Sequence, residues 1–322
     1  MKKNIIMISN KHDPCITAFE EIAKKDPEID YKIFASDTIE NYIELDDLDG
    51  IEFIRNSSIW YRKPTLYLEE VYAVRLVPEE PDKRAHRILM DEYKYRQRMS
   101  VLKYYVSIAK FTLNVNQKVT RQTCKQYHLQ LAEKIGFKIP EFIFTNKYKK
   151  IQEFSKRFDK IISKNISGQI RNNENYAFMG TRIVDKSLIE KMNADFQYPI
   201  FFQEFIQSDH EYRITFVSGK IYCAKMKSKQ SGKVIVDVRN EDNDSELDYT
   251  AVTLPDKINE MITQIMNELE LSYGTLDILC TVDGDYYFLE INNDGQYLWT
   301  EKYTNLKITS GIISVLKENN GS

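Results

Sequence analysis

Asp277, Glu290 and Asn292 are the residues whose types and spacing carry the clearest chemistry. Asp277 sits in an apolar run, Leu276-Asp277-Ile278-Leu279. Glu290 and Asn292 stand two residues apart in a second run, Tyr287-Phe288-Leu289-Glu290-Ile291-Asn292. Alternate residues of a strand share a face, so Glu290 and Asn292 point the same way. Asp283-Gly284-Asp285 between the runs is a hairpin signal. Folding that hairpin brings Asp277 beside the other two. Hard oxygen ligands of this kind suit Mg²⁺, which completes its shell with waters and substrate phosphates. The apolar neighbours Ile278, Phe288 and Ile291 indicate a hairpin packed into a core, where unpaired carboxylates are costly. The set points to ATP chemistry without a P-loop. The plainer alternative is a polar face on an edge hairpin.

Other residues gain meaning around that set. Lys125, early in a helix, and Lys164, ending an apolar strand before a glycine-bearing loop, are candidate phosphate ligands. With 45 Lys and Arg in the chain, either alone could equally be a solvated surface lysine. Phe201-Phe202-Gln203-Glu204-Phe205-Ile206 is an apolar strand running into a loop. Such a segment can offer backbone groups to an adenine edge, or can be a core strand whose Gln and Glu face water. Glu211, Arg213 and Thr215 share a strand face. An arginine there can grip a carboxylate or phosphate in a fork, or can form a cross-strand ion pair of little energetic consequence. Lys225 follows on the next strand. His210 is a candidate proton acceptor, although a loop histidine without a task is the simpler reading.

These residues need elements to hold them. A chain of 322 residues exceeds one compact core and implies two or three subdomains. We divide it into an N-terminal α/β unit (1–113), a central unit (114–198) and a C-terminal unit (199–322). In the first, strands are expected at 4–9, 31–35, 50–55 and 58–62, and helices at 14–25 and 82–107, with an acidic, Pro-rich loop at 79–83. G-x-G-x-x-G is missing after the first strand, so no dinucleotide site is indicated. In the second, a helix over 121–135 is stopped by Gly136. A strand near 142–146, a helix over 147–157 and a strand over 160–164 follow. Residues 167–180 form a glycine-bearing hairpin or lid, and 187–194 a helix. In the third, strands over 199–206, 211–217 and 220–225 precede two charged loops (225–233 and 237–249). The helix 255–270, the acidic hairpin and a closing helix over 308–316 complete the unit.

Composition removes several classes. A net charge of −3 gives no global basic field and no reason to expect nucleic acid. The four Cys and four His are dispersed, which argues against zinc and for buried thiols in a reducing compartment. The N-terminal apolar run is too short for a signal, and no stretch approaches a membrane-spanning length. A cytoplasmic protein is expected.

Taken in order, the residues from about 114 to 316 resemble the ATP-grasp superfamily of carboxylate ligases, a mixed α/β (α+β) fold. The resemblance implies ATP and Mg²⁺ as cofactors. It makes Lys125 and Lys164 the two ATP-binding lysines and Gln203, Glu204, Phe205 and Ile206 the adenine linker, with Glu211 at the nucleotide. Asp277, Glu290 and Asn292 become the metal ligands, and Arg213 and Lys225 the triphosphate contacts. Further segments are similar to the graspetide synthetases, which include the microviridin ligases. These are Trp60-Tyr61-Arg62-Lys63-Pro64, Glu211-Tyr212-Arg213-Ile214-Thr215, Asp237-Val238-Arg239, and Glu290-Ile291-Asn292-Asn293-Asp294-Gly295-Gln296-Tyr297-Leu298-Trp299. The last is the most specific, because a plain ATP-grasp ligase needs Glu-x-Asn but not the Gly-Gln-x-x-Trp beyond it.

That family closes ω-ester or ω-amide macrocycles within a ribosomal precursor peptide. The resemblance therefore implies a peptide partner, a homodimer, and leader docking within 166–195. Glu190 and Asp195 would meet a basic leader residue, with Arg62, Asp237 and Arg239 also toward the peptide. Three departures mark a divergent branch: Glu211 replaces a common Asp, Asn293-Asp294 a common Asn-Pro, and Val238 a usual Trp. Two other readings share the nucleotide residues. One is an ATP-grasp amino-acid or glutamate ligase acting on a small molecule or a protein C-terminus. The other is an inactive peptide-binding scaffold.

Overall fold

The computed structural model describes residues 2–35, 47–62, 81–113, 122–164, 181–229 and 247–320. Three sheets organise it. The first is parallel, in the order β2-β1-β3-β4: β1 (Lys3–Ser9), β2 (Ile29–Ala35), β3 (Ser57–Tyr61) and β4 (Phe111–Leu113). A parallel sheet is covered on both faces, so its central strand reads as an unbroken apolar run. In β1, Ile5 and Met7 pack against α1 (Cys15–Ala23) and the C-terminal helix α9 (Ile308–Asn319). Ile6 and Ile8 pack on the other face against α2 (Leu48–Arg55) and α3 (Pro81–Ile108).

The strand expected at 50–55 is the helix α2. Asp47 caps it by accepting from the Gly50 N–H at 2.9 Å, and Ile51 and Ile54 are buried at a helical spacing of three. An apolar pair three apart fits a helix face, and the cap fixes where that helix begins.

The second sheet runs β5-β8-β6-β7 and is antiparallel: β5 (Phe142–Thr145), β6 (Ile161–Lys164), β7 (Arg182–Ile183) and β8 (Ile200–Glu204). Helices α5 (Tyr148–Lys156) and α6 (Lys186–Glu190) contribute Ile151, Phe154 and Ile189 to its small core. α6 is shorter than the helix expected over 187–194. The Gln152 side-chain amide donates to the carbonyls of Ile189, Glu190 and Met192 at 3.0, 3.2 and 3.1 Å, capping the C-terminal end of α6. β8 lies in this sheet, so the break expected at 198/199 falls before a strand of the central unit.

The third sheet is antiparallel, in the order β11-β10-β9-β12-β13: β9 (His210–Val217), β10 (Lys220–Ser228), β11 (Leu247–Val252), β12 (Tyr273–Cys280) and β13 (Tyr286–Asn292). Helices α4 (Lys125–Ile135) and α7 (Asp256–Glu268) cover one face and build the largest apolar cluster. Gly136 ends α4 in the left-handed conformation at φ +116°, as its position predicts. Two expected loops are partly strand: 225–228 extends β10, and 247–249 opens β11. Edge strand β11 carries only one fully buried side chain, so its sequence shows no clean alternation and its pairing with β10 defines it. A short helix, α8 (Leu298–Thr304), adds to the expected elements. The lid expected at 167–180 lies outside the described residues.

Candidate active site

The register of the third sheet sets three charged side chains in a row. Arg213 on β9 is opposite Asp277 on β12, and Asp277 is opposite Glu290 on β13. Directly opposed residues share a face. Arg213 donates through Nη1 to both Asp277 oxygens at 2.8 and 2.9 Å, and through Nη2 to the Gln296 carbonyl at 2.9 Å. Asn292, one pleat beyond Glu290, donates through Nδ2 to Glu290 Oε1 at 2.9 Å. Asp277, Glu290 and Asn292 thus converge on the face the hairpin argument assigns them.

Two lysines close over this row from other elements. Lys125, the first residue of α4, reaches Glu290 Oε2 at 2.6 Å. Lys164, the last residue of β6, lies within electrostatic reach of Glu290, Lys125, Asp277 and Glu211. The electrostatics separate the two carboxyls. Burial pushes both up. At Asp277 the Arg213 charge only partly offsets this and Glu290 adds to it, so its pKa is raised. At Glu290 the charges of Lys125 and Lys164 outweigh burial and hold the carboxyl ionised well below its ordinary range. Burial lowers the Lys164 ammonium, Glu290 opposes that and Lys125 adds to it.

This donor set fits a nucleotide triphosphate and a divalent ion. Among the described residues no three His, Cys, Asp or Glu gather into a closed metal cage. Two carboxylates and an amide oxygen form an open set of hard ligands, which Mg²⁺ completes with water and phosphate. Gln203, 1% exposed on β8, has neither side-chain polar atom hydrogen-bonded, and Arg213 Nε is likewise unpartnered. Buried polar atoms without partners are expensive and call for a ligand.

The profile of the RimK-like ATP-grasp domain matches residues 120–316, more than half of the chain. The chain belongs to the RimK-like ATP-grasp family. No curated protein sequence matches it. Among solved structures, macrocyclase MdnC from Microcystis aeruginosa MRC, bound with precursor peptide MdnA, is similar over 97% of this chain and 99% of that one. Its TM-score is 0.74 at 24% identity. A Chryseobacterium gregarium RiPP-associated ATP-grasp ligase in complex with ADP and a leader and core peptide covers 98% and 97%, with TM-score 0.77 and 21% identity. ATP-grasp ligase PsnB complexed with minimal precursor, Mg and ADP covers 98% and 97%, with TM-score 0.73 and 16% identity. These likenesses establish a fold shared across the whole chain, including the parallel N-terminal sheet outside the RimK-like ATP-grasp match.

Other expected site residues fall elsewhere. Lys225 pairs with Tyr212 and Thr250, which puts it on the face opposite Arg213 and Asp277. Sequence order brings it near the site, but pleat parity sets it apart from the Arg213–Asp277–Glu290 row. Its charge acts instead on His210, whose pKa burial lowers. His210 sits edge-on to Tyr212 on that same face, and its Nδ1 meets Asp209 Oδ2 at 2.8 Å.

Arg62, expected toward the peptide, is fully buried. Its Nε donates to Asp13 Oδ2 at 2.7 Å, and its Nη atoms donate to Tyr273 Oη, the Gly295 carbonyl and Gln296 Oε1 at 3.2, 3.2 and 2.9 Å. A docking role therefore does not fit it either.

Asp195 accepts from the Tyr148 N–H at 3.1 Å and pairs with Lys147 at 2.7 Å, capping α5. Glu190 ends α6 with its side chain exposed. In the linker, Glu204 exchanges hydrogen bonds with Glu141, and the Phe205 N–H donates to the Lys160 carbonyl at 3.2 Å. Ile206 is half-buried. Glu211 lies on the Arg213 face. Asp237 and Arg239 lie outside the described residues.

Asp13, Tyr273 and Thr275 carry no signal in the sequence. Asp13 meets Gln296 at a separation of 283 residues, so no local pattern marks it. Gly295 and Gln296 belong to the segment similar to the graspetide synthetases, which by itself gives them no role.

Proposed function

We propose that this protein is an ATP-dependent carboxylate ligase of the graspetide-synthetase kind. It activates Glu or Asp side chains of a ribosomal precursor peptide and closes macrocycles with Ser or Thr hydroxyls or Lys amines, releasing ADP and phosphate. The observation that carries this reading is the row Arg213–Asp277–Glu290 under Lys125 and Lys164. It gathers cationic phosphate ligands, an open carboxylate–amide set and an arginine on one face. The whole-chain likeness to ligases solved with precursor peptides supports a peptide as the substrate.

Lys125 and Lys164 hold the phosphates of ATP, and Gln203 with residues 204–206 receives the adenine. Asp277, Glu290 and Asn292 would hold Mg²⁺, which would supply charge neutralisation at the phosphoryl group. Arg213, fixed by Asp277 and the Gln296 carbonyl, holds the substrate carboxylate. That oxygen takes the γ-phosphoryl group to give an acyl phosphate, and the hydroxyl or amine displaces phosphate. We place the enzyme in the cytoplasm as a homodimer, with Glu190 and Asp195 near the leader. No described helix is long and apolar enough to cross a membrane.

The test is a precursor peptide rich in Thr/Ser and Glu/Asp, encoded beside this gene, incubated with enzyme, ATP and Mg²⁺. Mass spectrometry should show loss of one water per link, absent without ATP and absent with Glu290→Ala. ATP turnover on free amino acids with an unchanged peptide would move the reading to a small-molecule ligase. Inertness with both would leave the scaffold reading.

A further inference from the structure

The turn that follows the metal strand is held from below by the N-terminal unit. Arg62 lies just beyond β3 of the parallel sheet, yet it donates to the Gly295 carbonyl at 3.2 Å and to Gln296 Oε1 at 2.9 Å. Tyr273 Oη donates to the same Gly295 carbonyl at 2.8 Å. The rings of Trp60, Tyr273 and Tyr297 surround the guanidinium at 5.5, 5.8 and 5.8 Å. Asp13 fixes its other edge: Oδ2 accepts from Arg62 Nε at 2.7 Å and from Ser9 Oγ at 2.7 Å. Asp13 Oδ1 accepts from the Cys15 N–H at 3.2 Å and from Gln296 Nε2 at 3.4 Å. The same residue, Gln296, presents its carbonyl upward to Arg213 Nη2 at 2.9 Å. Gln296 is thus gripped by one arginine through its side chain and by the other through its backbone.

We infer that Arg62 and Gln296 are positioning residues for Arg213, through which the N-terminal unit sets the geometry of the active site. The chain of hydrogen bonds runs Ser9, Asp13, Arg62, Gln296, Arg213, Asp277. A bare hydrophobic anchor would have served stability. Burying a cation instead is costly unless every hydrogen bond is made, and what it adds is direction. The aromatic cage stops the guanidinium from rotating, and the planar fork fixes the Gly295 carbonyl and the Gln296 side-chain amide at once. Arg213 has its Nη2 anchor only where that turn sits.

The inference rests on the ligase reading for its kinetic arm only, and a second arm is independent of it. Gln296→Met keeps the side-chain volume and removes the hydrogen bonds to Arg62 and Asp13. With precursor peptide, it should lower kcat roughly tenfold, the scale of one hydrogen bond to a charged group, with KM for ATP unchanged. In an Arg213→Lys background the same substitution should cost less than about twofold, because its path runs through the guanidinium. Arg62→Lys should behave like Gln296→Met. Thermal unfolding confirms that each variant is folded. In the second arm, the Arg213 Nε–H resonance is followed by ¹H–¹⁵N NMR without any substrate. It should shift or broaden in Gln296→Met, while amides of the central sheet stay in place.

Equal losses of kcat in both backgrounds would overturn the inference, as would an Arg213 resonance that ignores the substitution. A wild-type enzyme inert toward every precursor would count against the ligase reading instead, and the NMR arm would still decide this one.

Discussion

Gly295→Ala isolates the physical logic of the site in one methyl group. The φ of Gly295 is not positive, so alanine meets no backbone strain there. Its cost is space. A Cβ on Gly295 would stand 1.7 Å from Thr275 Oγ1, 2.7 Å from Cβ and 2.8 Å from Cγ2. The nearest approach is therefore about 1.7 Å short of the 3.4 Å at which ordinary packing begins. Thr275 cannot yield, being fully buried and paired with both Thr215 and Asn292. The turn must move, which strains or breaks the bonds to the Gly295 carbonyl from Arg62 and Tyr273 and to the Gln296 carbonyl from Arg213.

Overpacking alone costs about 1–3 kcal/mol. Each bond to a charged group adds roughly 1.5–3 kcal/mol where it is broken outright. With partial relaxation we expect about 3–5 kcal/mol in all, at the high end for a point substitution. Urea unfolding followed by circular dichroism reads it. Gly284→Ala is the control: φ is +83° there and nothing lies within 4 Å of the added Cβ. Its cost is conformational, roughly 1–2 kcal/mol. Thr275→Gly should relieve the clash, so the double variant Gly295→Ala/Thr275→Gly should be more stable than the sum of the single losses predicts by at least about 1.5 kcal/mol. A Gly295→Ala protein no less stable than Gly284→Ala, or strict additivity with Thr275→Gly, would refute the steric argument.

Three further outcomes are expected. Glu290→Ala leaves Lys125 and Asn292 without their partner, and Mg²⁺-dependent ADP binding should weaken at least about tenfold by calorimetry, the scale of one hydrogen bond to a charged group. Asp195→Ala removes the cap of α5 and should cost about 1 kcal/mol in urea unfolding. If Asp195 also meets the leader, the Kd for precursor peptide rises in the same variant, whereas a capping role alone leaves it unchanged. Asp209 is held at about 2 by its hydrogen bonds to Lys227 and then His210, against an ordinary 3.8. A depressed carboxyl stabilises the fold above its unfolded pKa and loses that contribution as pH falls from about 4 toward 2. Asp209→Asn should therefore flatten the acid side of the stability profile in that window, as read by urea midpoints at about pH 5 and about pH 2.5.

Much of the site is legible locally. Asp277, Glu290 and Asn292 can be read because a strand has a period of two and a hairpin has a recognisable turn, so their convergence needs only β12 and β13. Arg213 follows from the same parity on β9. Lys225 does not, because the parity of β10 relative to β9 depends on the register fixed by the Ser218-Gly219 turn, where both residues have positive φ (45° and 90°). The segment Leu48–Arg55 misleads because its apolar residues also suit a short strand, and only the capping Asp47 separates helix from strand there.

The amino-acid sequence by itself determined the metal-capable hairpin, the apolar β1 of a doubly covered sheet, the ends of most helices and the membership of a ligase family. These rest on periodicity, capping and turn chemistry, all of which act within a few residues. Only the tertiary structure decided what Arg62, Asp13, Gly295 and Gln296 do. Arg62 has the composition of a surface residue, and its burial depends on acceptors 49, 211, 233 and 234 residues away. A buried cation is tolerated only where folding brings those acceptors together, and no local pattern records where a distant carbonyl will be.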